Sequence, residues 1–560
     1  MFKNIDYYTE RDVMKKHYGC DTMCTAKFLS STIYLQTGET HSCYHPLPHK
    51  IPLKEIKNNP SALHNTTHKK ARREQMLKGN KPSECNYCWR VESMGDEHIS
   101  DRIIKSKNET LLTPDAHDLI LEKGWKEDYN PTYLEISFGN ECNMKCAYCH
   151  PKASSAWMKE MQLKGPLENA EHLQVVEQEI YEETNNPYVD AFWKWWPSLR
   201  KDLRVIRVTG GEPLLQQNVW KWLDMLEQSD DCKDMIFQLN TNLNVKNKLV
   251  HRLIQKVDKL LKEKKIAKFA VYTSIESWGE QSTYARSGLD LELFETNLET
   301  VMRGLGHYDE HLFSGVKIMN TFNILSVTSY TKFLEKIRYW RGKLQKGRYC
   351  PKITFDIPHC TEPNQFSLIG LPDDFDSYFE YITEYFNEWS WVTNQNKYDK
   401  KTHDTVWSNY FSREEVKMWD RVVSYWRSIM EQRGKVRLTD DNQYLQCRQI
   451  DDARRNFILF IKATDKRRST DFKSVYPEMS DYYDMCATLE DIQNIEYNNE
   501  CKQHLMSEEI TGQAIEFHWD DDFVWQHPKL AKSILNWRRI RNLPTKIFDK
   551  DEIVDTIGYV

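Results

Sequence analysis

Apolar and polar residues alternate in short runs through the middle of the chain, and these runs predict strands. Six of them stand at residues 133–138, 205–209, 235–239, 269–273, 316–320 and 353–357. Patterns of helical spacing, such as those at residues 291–305 and 330–340, lie between the runs. Strands that alternate with helices are typical of repeated βα units around a parallel sheet. The pattern therefore predicts an α/β domain over residues 129–365.

Beyond residue 365 the pattern becomes mainly helical and rich in aromatic residues. Apolar residues recur there at helical spacing and predict a buried stripe at Phe375, Phe379, Ile382, Phe386 and Trp389. The apolar run at residues 457–462 predicts one strand, and the charged residues 454–455 and 465–468 around it predict a polar hairpin. We expect residues 366–560 to form a mainly α-helical region, and the pattern does not define its role.

Composition and charge narrow the class of protein. The 560 residues are 40% apolar and 29% charged, which is enough of both for a large core and a solvated surface. The formal net charge of -6 gives no general attraction to nucleic acid or anionic lipid. Neither a membrane-length apolar run nor an apolar signal core after Met1 is present, so we expect a cytoplasmic protein without a membrane partner.

Cysteine is the most informative residue type. In a reducing compartment, the 14 cysteines are expected to serve metal binding or catalysis before disulfide formation. Eight of them fall within the first 149 residues. Two compact groups stand out, a CxxC at Cys85 and Cys88 and a CxxxCxxC at Cys142, Cys146 and Cys149.

The CxxxCxxC group follows the first predicted strand. Three thiolates at this spacing can hold one iron–sulfur cube and leave one iron open, whereas structural zinc favours four ligands and would also need His150. The second predicted strand runs into Gly210-Gly211-Glu212-Pro213, which bares the backbone and offers a carboxylate to an amine. In a βα barrel the two loops would meet at the carboxyl edge of the strands, where active sites form.

These motifs, in this order over residues 130–360, resemble the radical S-adenosylmethionine (SAM) superfamily. The resemblance implies a partial (β/α)6 TIM-like barrel and a [4Fe-4S] cluster held by Cys142, Cys146 and Cys149. It also implies that SAM chelates the open iron and is cleaved reductively to a 5′-deoxyadenosyl radical, which abstracts hydrogen from a substrate. The SAM contacts that it implies are Tyr148, Gly210, Gly211, Glu212, Pro213, Thr241, Asn242, Ser274, Glu276 and Arg286.

A structural role explains several of these residues equally well. Thr241, Asn242 and Ser274 could satisfy backbone groups at the ends of strands. Arg286 could pair with the SAM carboxylate or face solvent. The sequence leaves both alternatives open.

The front cysteines form a second candidate centre. Cys24, a Gly38-x4-Cys43 turn and the CxxC at Cys85 and Cys88 supply four thiolates, which suit zinc and an iron–sulfur cluster equally on ligand count. Their order resembles the SPASM and twitch auxiliary-cluster domains, in twitch-domain radical SAM proteins of the phage and metagenomic type. That resemblance implies a second, auxiliary [4Fe-4S] cluster in residues 1–128. The run from Cys85 through Glu92 and Gly95 to Ser100 and Arg102 belongs to the same resemblance.

Three hypotheses for function follow. The first is a radical SAM enzyme acting on a peptide or protein side chain, and the second is the same chemistry on a nucleotide, sugar or other small metabolite. The third is a non-catalytic iron–sulfur or zinc regulator, which would not need the Gly-Gly-Glu-Pro turn. An electron donor such as a flavodoxin or ferredoxin is the expected partner. The basic run at residues 68–73 predicts a solvated helix face rather than a phosphate or acidic-peptide site.

Overall fold

A nine-stranded sheet forms the centre of the molecule in the computed structural model, which describes residues 7–94, 99–108, 112–165, 167, 180–182, 184–344, 352–394, 409–434 and 441–496. The strand order is β11-β10-β8-β7-β6-β4-β1-β2-β3. Its strands are β1 Ser30–Tyr34, β2 Glu39–His41, β3 His49–Lys50, β4 Tyr133–Ser137, β6 Val205–Thr209, β7 Ile236–Asn240, β8 Lys268–Thr273, β10 Phe313–Met319 and β11 Ile353–Asp356. A separate two-stranded sheet pairs β5 Lys145–Cys146 with β9 Arg286–Ser287.

Helices surround this sheet and form most of the described residues after β11. Those of the first half are α1 Tyr7–Tyr18, α2 Ala26–Leu29, α3 Leu53–Asn58, α4 Thr67–Leu77, α5 Asn86–Ser93, α6 Asp101–Ser106, α7 Ala116–Lys123, α8 Ser155–Lys164, α9 Pro187–Leu199, α10 Gln217–Glu227 and α11 Asn247–Lys262. Those of the second half are α12 Glu280–Ala285, α13 Leu291–Leu305, α14 Tyr330–Leu344, α15 Asp376–Glu388, α16 Trp391–Asn394, α17 Arg413–Gly434, α18 Asp441–Arg468, α19 Phe472–Val475 and α20 Ser480–Glu496.

The six strands that the sequence predicts are all present and parallel. Each neighbouring pair from β4 to β11 is parallel, with helices between consecutive strands. This confirms the α/β class and the partial (β/α)6 TIM-like barrel. The strand boundaries differ from the predicted ones by at most three residues, the largest difference being the earlier start of β10 at Phe313.

The N-terminal residues extend the barrel sheet, which the sequence pattern does not predict. β1 pairs in parallel with β4, and β2 then pairs antiparallel with β1. The side chain of Ser137 at the end of β4 donates to Gln36 Oε1 at 2.9 Å, just beyond β1. The segment between Cys24 and Cys43 is therefore joined to the barrel by one continuous sheet.

One face of the sheet carries an apolar core against the helices. Aromatic rings follow one another from the helix layer into the sheet, with centroid distances of 4.9 to 6.0 Å along Trp196, Trp222, Phe237, Phe269 and Phe313. Burial of this face stabilises the barrel by removing large apolar area from water. Successive strand residues point to opposite faces, so the intervening polar residues lie on the other, concave face.

The described part of the C-terminal region, which ends at residue 496, is mainly helical as predicted, but the predicted strand at residues 457–462 is wrong. These residues lie inside α18. The predicted polar hairpin is also wrong, because the charged residues 454–455 and 465–468 belong to the same helix. Phe460 packs on Phe366 at 5.1 Å, while Phe457 packs on Phe472 at 5.6 Å. A helix covered on more than one side needs a continuous apolar run, and such a run cannot be distinguished from a buried strand by pattern alone.

The predicted stripe at residues 375–389 is confirmed as core at four of its five positions, while Trp389 is half-buried. Phe375, Phe379, Ile382 and Phe386 are buried, and Phe379 stacks on Trp426 of α17 at 4.8 Å. Cys350, Cys501 and Gly95 lie outside the described residues. No helix of the described part of the chain has the length and apolarity that a membrane span needs.

The basic run at residues 68–73 is not a simple solvated face. Lys69 and Arg73 of α4 are 2% and 0% exposed. Lys69 Nζ donates to Ser31 Oγ at 2.9 Å and to Thr40 Oγ1 at 2.8 Å. Residues four apart share a helix face, and here that face turns toward β1 and β2. The solvated-face prediction is wrong for these two residues.

Candidate functional site

The CxxxCxxC loop leaves the carboxyl end of β4 and is fixed from both sides. Cys146 lies in β5 and is paired with Arg286 of β9. The backbone N–H of Cys142 donates to Ser155 Oγ at 3.0 Å, and Trp157 Nε1 donates to the Cys146 carbonyl at 2.9 Å. The start of α8 thus holds the loop by two hydrogen bonds.

The three thiols lie close enough to influence one another. Burial, together with the neighbouring charges of Cys146 and Cys142, raises the pKa of Cys149 to about 12. Burial likewise raises the pKa of Cys142 to about 12. Among the described residues, no three His, Cys, Asp or Glu side chains already stand in ligating positions around one point. The donor set is nevertheless three thiols on one short loop, which fits a [4Fe-4S] cluster whose binding deprotonates them.

The two glycines of the Gly-Gly-Glu-Pro turn permit close approach of the turn to the cysteine loop. A Cβ atom on Gly211 would stand 2.4 Å from the Glu141 carbonyl oxygen. Gly210 has a φ of +109°, and its Cβ atom would stand 2.4 Å from Ser137 Oγ. Both positions therefore require glycine for steric reasons, and the backbone of the turn lies against the loop that carries Cys142.

Glu212 locks this turn to the next strand. Its carboxylate accepts hydrogen bonds from Thr241 Oγ1 at 2.9 Å, from the Asn242 N–H at 2.6 Å and from the Leu214 N–H at 3.0 Å. Complete burial raises the pKa of Glu212 to about 7, against the lowering effect of those donors. Pro213 begins the short helical turn Pro213–Leu215 that follows, and it is buried.

Burial divides the predicted SAM contacts into two groups. Glu212, Pro213, Thr241, Glu276 and Arg286 are buried. The partly exposed group, which lies around the loop, comprises Tyr148, Gly210, Gly211, Asn242 and Ser274. Residues of the first group form the frame of the site, and residues of the second group are the ones that solvent or a ligand can reach.

The asparagines of the loop were missed by sequence reasoning. Asn143 Oδ1 accepts from Asn242 Nδ2 at 2.9 Å, and its own amide donates to the Asn244 carbonyl at 2.7 Å. Asn140 Nδ2 donates to the Pro151 carbonyl at 3.1 Å. These side chains connect the loop to the end of β7 and close it on itself. In the sequence, each of them is only a polar residue within a cysteine loop. Such a residue does not indicate its hydrogen-bond partner.

Glu276, Arg286 and Tyr148 form a buried polar network beside the cysteines. Arg286 Nε donates to Glu276 Oε2 at 2.7 Å, and Nη2 forms the second bond to Oε1 at 2.5 Å. Tyr148 donates to Glu276 Oε1 at 2.7 Å. Arg286 Nη1 stands 3.5 Å from Cys146 Sγ. Of the two roles left open for Arg286, the structure excludes solvent exposure.

The four front cysteines line one small cavity. Cys24, Cys43, Cys85 and Cys88 share it with Lys27, Arg102 and Lys105. Burial raises the pKa of Cys85 to about 12 and that of Cys88 to about 11, with Cys24 and Cys43 adding to each shift. Cys20 forms no part of this lining and donates to the Met76 carbonyl at 3.4 Å. The sequence spacing and the tertiary structure thus bring together the same four thiols.

The Cys85–Arg102 run forms a second support for this cavity. Arg102 Nε and Nη2 donate to the two carboxylate oxygens of Glu92 at 2.6 and 2.7 Å. Arg102 Nη1 donates to the Met23 carbonyl at 2.8 Å, next to Cys24. Ser100 Oγ also donates to Glu92. This network ties the helix that carries Cys88 to the segment that carries Cys24.

The two cysteine centres lie at opposite ends of the parallel strands. Cys24 precedes α2 and β1, and Cys43 follows β2, which runs antiparallel to β1, so both stand at the amino end of β1. The CxxxCxxC loop follows the carboxyl end of β4, parallel to β1. Along the strand direction, the two centres are therefore separated by about the length of β1, which is roughly 13 Å for five residues at 3.3 Å per residue.

Comparison with known proteins gives relatives of low identity. No protein-family model matches this chain. The GTP 3′,8-cyclase of Sulfurimonas denitrificans is 22% identical over 334 residues, which cover 57% of this chain and 81% of that protein. The GTP 3′,8-cyclase of Aliarcobacter butzleri is 28% identical over 121 residues, 22% of this chain and 30% of that protein. The GTP 3′,8-cyclase of Acidothermus cellulolyticus is 33% identical over 110 residues, which cover 20% of this chain and 25% of that protein.

A solved structure, that of Streptococcus suis SuiB bound to S-adenosylmethionine, matches with a TM-score of 0.30 and 11% identity. The match covers 64% of this chain and 69% of SuiB. A partial parallel barrel with a three-cysteine loop and a Gly-Gly-Glu-Pro turn at one edge defines a class of α/β enzymes. Taken with the curated relatives, these features place the chain in the radical SAM superfamily. This membership implies SAM and one [4Fe-4S] cluster as cofactors.

Proposed function

We propose that this enzyme binds its [4Fe-4S] cluster at Cys142, Cys146 and Cys149 and cleaves SAM reductively at the carboxyl edge of the barrel. The observation that carries the proposal is the packing of the Gly210-Gly211 backbone against the cysteine loop. When bound, the cluster supplies the electron that breaks a carbon–sulfur bond of SAM. The residues of the chain position SAM, exclude water and present a substrate C–H bond.

The partly exposed polar groups around the loop are the proposed SAM contacts. Asn242 and Ser274 stand at the ends of β7 and β8, and Tyr148 stands beside Cys149. The buried Glu212 and Thr241 keep the turn in place through their hydrogen bond of 2.9 Å. A direct contact between Glu212 and SAM remains a prediction. In that contact the amine of SAM would meet a carboxylate that already accepts three hydrogen bonds.

The test is anaerobic reconstitution followed by a 5′-deoxyadenosine assay with SAM and a strong reductant. We expect product from the wild type and none from Cys146→Ala. A matched control is Cys232→Ala, because Cys232 is buried beside β7 and away from both cysteine centres. Reconstituted wild-type protein that retains four irons at the barrel loop but never cleaves SAM would contradict the proposal.

The substrate is proposed to be of the nucleotide class, bound on the concave face of the sheet. This face is polar: Arg207 lies 4.4 Å over the ring of Tyr272, and its Nε donates to Asn240 Oδ1 at 2.9 Å. Lys317 Nζ is 3.1 Å from Asp356 Oδ2. These side chains alternate with the buried apolar residues of the same strands and remain partly exposed. Side chains that both donate and accept suit a base edge and phosphates better than an apolar side chain.

The curated relatives support the nucleotide proposal, since each of those reported above carries the name GTP 3′,8-cyclase. Transfer of deuterium from deuterated GTP and other nucleoside triphosphates into 5′-deoxyadenosine would test it directly. Lys317→Met is expected to reduce such transfer by weakening a charge-assisted contact. Lys256→Met is the matched control, because Lys256 pairs with Asp224 and Glu227 on the outer helices. No transfer from any nucleotide would reject the proposal.

A peptide substrate is the second candidate, and an open groove favours it. The groove has a volume of about 520 Å³ and combines the rings of Trp278 and Tyr339 with Lys332, Glu335 and Gln281. Aromatic rings with charges of both signs can receive an extended peptide. Deuterium transfer from a labelled peptide, absent with nucleotides, would favour this candidate.

For the front cysteines we propose an auxiliary [4Fe-4S] cluster bound by Cys24, Cys43, Cys85 and Cys88. Four thiols lining one cavity support a closed four-sulfur site, and zinc is the alternative with the same ligand count. The auxiliary cluster would lie at the amino ends of the strands, away from the CxxxCxxC loop. This position favours a role in electron transfer or in structure over contact with SAM. A flavodoxin or ferredoxin is the proposed external electron donor.

A further inference from the structure

Arg286 reaches the sulfur of a proposed cluster ligand. It lies in β9, directly opposite Cys146 of β5, and the Ala147 N–H donates to the Ala285 carbonyl at 2.8 Å beside this pair. The side chain then turns so that Nη1 stands 3.5 Å from Cys146 Sγ. This distance is within the range of a hydrogen bond to sulfur.

The orientation of the guanidinium group is fixed by Glu276. Two parallel hydrogen bonds of 2.7 and 2.5 Å join Nε and Nη2 of Arg286 to the carboxylate. Such a bidentate pair fixes both the position and the plane of the guanidinium. Its Nη1 is the group left to face Cys146. Arg286 and Glu276 are 5% and 3% exposed, so water does not compete for either.

Tyr148 completes the network from within the cysteine loop. Its hydroxyl donates to Glu276 Oε1 at 2.7 Å and also contacts Arg286 Nη2. The Glu276 carboxylate thereby accepts hydrogen bonds from two residues, one within the cysteine loop and one in β9. The ends of β8 and β9 and the loop itself are joined by three side chains. Because the Glu276 carboxylate already accepts these hydrogen bonds, it has little capacity left to bind SAM.

The charge of the network has a chemical consequence for a bound cluster. A cluster held by thiolates gains one negative charge on reduction. An N–H donor at a ligand sulfur stabilises the more negative, reduced state, and its effect is strong where water is excluded. The carboxylate of Glu276 neutralises the arginine as a whole, but only the guanidinium contacts the sulfur.

We infer that Arg286 is a positioning residue that donates a hydrogen bond to Cys146 Sγ and raises the reduction potential of the cluster, with Glu276 and Tyr148 holding it in place. This inference rests on the proposed function, since it requires the cluster at Cys142, Cys146 and Cys149. It assigns the side chains of Arg286 and Glu276 to the cluster rather than to SAM, and it places the Tyr148 hydroxyl in the same network. Each of the three was predicted from the sequence as a SAM contact.

The experiment is a redox titration of reconstituted protein followed by electron paramagnetic resonance. The signal that changes when SAM is added identifies the barrel cluster. Arg286→Met is expected to shift its midpoint potential to more negative values, and Arg286→Lys to shift it less because the charge is kept. Glu276→Gln frees the guanidinium from its anchor but also removes a negative charge near the cluster, so this variant is tested by the iron–sulfur stretching mode of Cys146, which is expected to change, rather than by the potential.

Arg303→Met is the matched control, because Arg303 forms an exposed pair with Glu299 on α13. Iron–sulfur stretching frequencies by resonance Raman spectroscopy supply a second readout, in which loss of the hydrogen bond alters the Cys146 mode. If Arg286→Met does not fold, Arg286→Lys and Glu276→Gln still decide the inference. Potentials and frequencies equal to wild type in variants with full iron content would overturn it. A wild type that binds no cluster at this loop would instead overturn the proposed function.

Discussion

Single residues of the site act mainly by steric fit and by burial. Gly211 and Glu212 are adjacent, yet the first is required because a side chain would meet backbone, and the second because its carboxylate receives three hydrogen bonds. The sequence predicts both as one SAM-binding turn. The structure shows that one half of the turn approaches the cysteine loop and the other half anchors it.

Replacing Gly211 by alanine is expected to destabilise the protein and reduce cluster binding. The new Cβ would stand 2.4 Å from the Glu141 carbonyl oxygen, and neither backbone can yield without moving the cysteine loop. Overpacking of this kind costs about 1–3 kcal/mol. Chemical denaturation and iron content measure the two effects. Gly342→Ala in α14 is the control, where the nearest atoms are Asn409 side-chain atoms at 3.4 Å and helix propensity favours alanine.

The pKa of Glu212 predicts a pH dependence of stability. Its pKa is raised from 4.5 to about 7 in the folded protein, so between these values the folded state retains a proton that the unfolded state loses. Its stabilising contribution is full below pH 4.5 and falls as pH rises through about 7, by about 3 kcal/mol in all. Denaturation of the wild type and of Glu212→Gln across pH 4.5–8 checks this. Equal slopes for the two proteins would contradict it.

At the scale of elements, the C-terminal helices cover the end of the barrel that carries the cysteine loop. Arg468 at the end of α18 lies 4.8 Å over the ring of Trp157, whose indole holds the Cys146 carbonyl. Tyr284 of α12 donates to Asp465 at 2.8 Å. The region whose role the sequence pattern leaves undefined thus packs on the two helices that flank the loop. This packing contributes to the complete burial of the Trp157 side chain, which supports the loop.

The buried ion pair between Arg341 and Glu415 is expected to hold α17 on the barrel. Arg341 of α14 is 0% exposed, and its Nη2 is 2.5 Å from Glu415 Oε1. Glu415→Gln leaves an uncompensated buried guanidinium and should cost about 3–5 kcal/mol of unfolding free energy. Glu299→Gln on the surface should cost at most about 1 kcal/mol. Denaturation by urea measures both, and similar losses in the two variants would contradict the expectation.

At the scale of the whole molecule, the two cysteine centres should load independently. They stand at opposite ends of the parallel strands, and among the described residues the hydrogen bonds that support one centre are separate from those that support the other. We expect about eight irons per reconstituted chain, falling to about four when Cys142, Cys146 and Cys149 are replaced by alanine. Replacement of Cys85 and Cys88 should remove the other four and leave the SAM-dependent signal. Zinc at the front site, with about four irons in the wild type, would reject the auxiliary cluster.

The sequence alone determined the elements whose signals are local. Alternation of apolar residues predicts the strands from β4 to β11, and the spacing of Cys142, Cys146 and Cys149 predicts one loop, because both depend on neighbours along the chain. The four front thiols were also selected by spacing, and one cavity contains them all.

Only the tertiary structure decided how distant segments meet. The pairing of β1 with β4, the burial of Lys69 and the helical state of residues 457–462 depend on what covers each segment, which no local pattern records. The same holds for Arg286, since residue type predicts a charge in the site but not its partner. Strand pairing placed it on Cys146, and Glu276, ten residues earlier, fixed its orientation there.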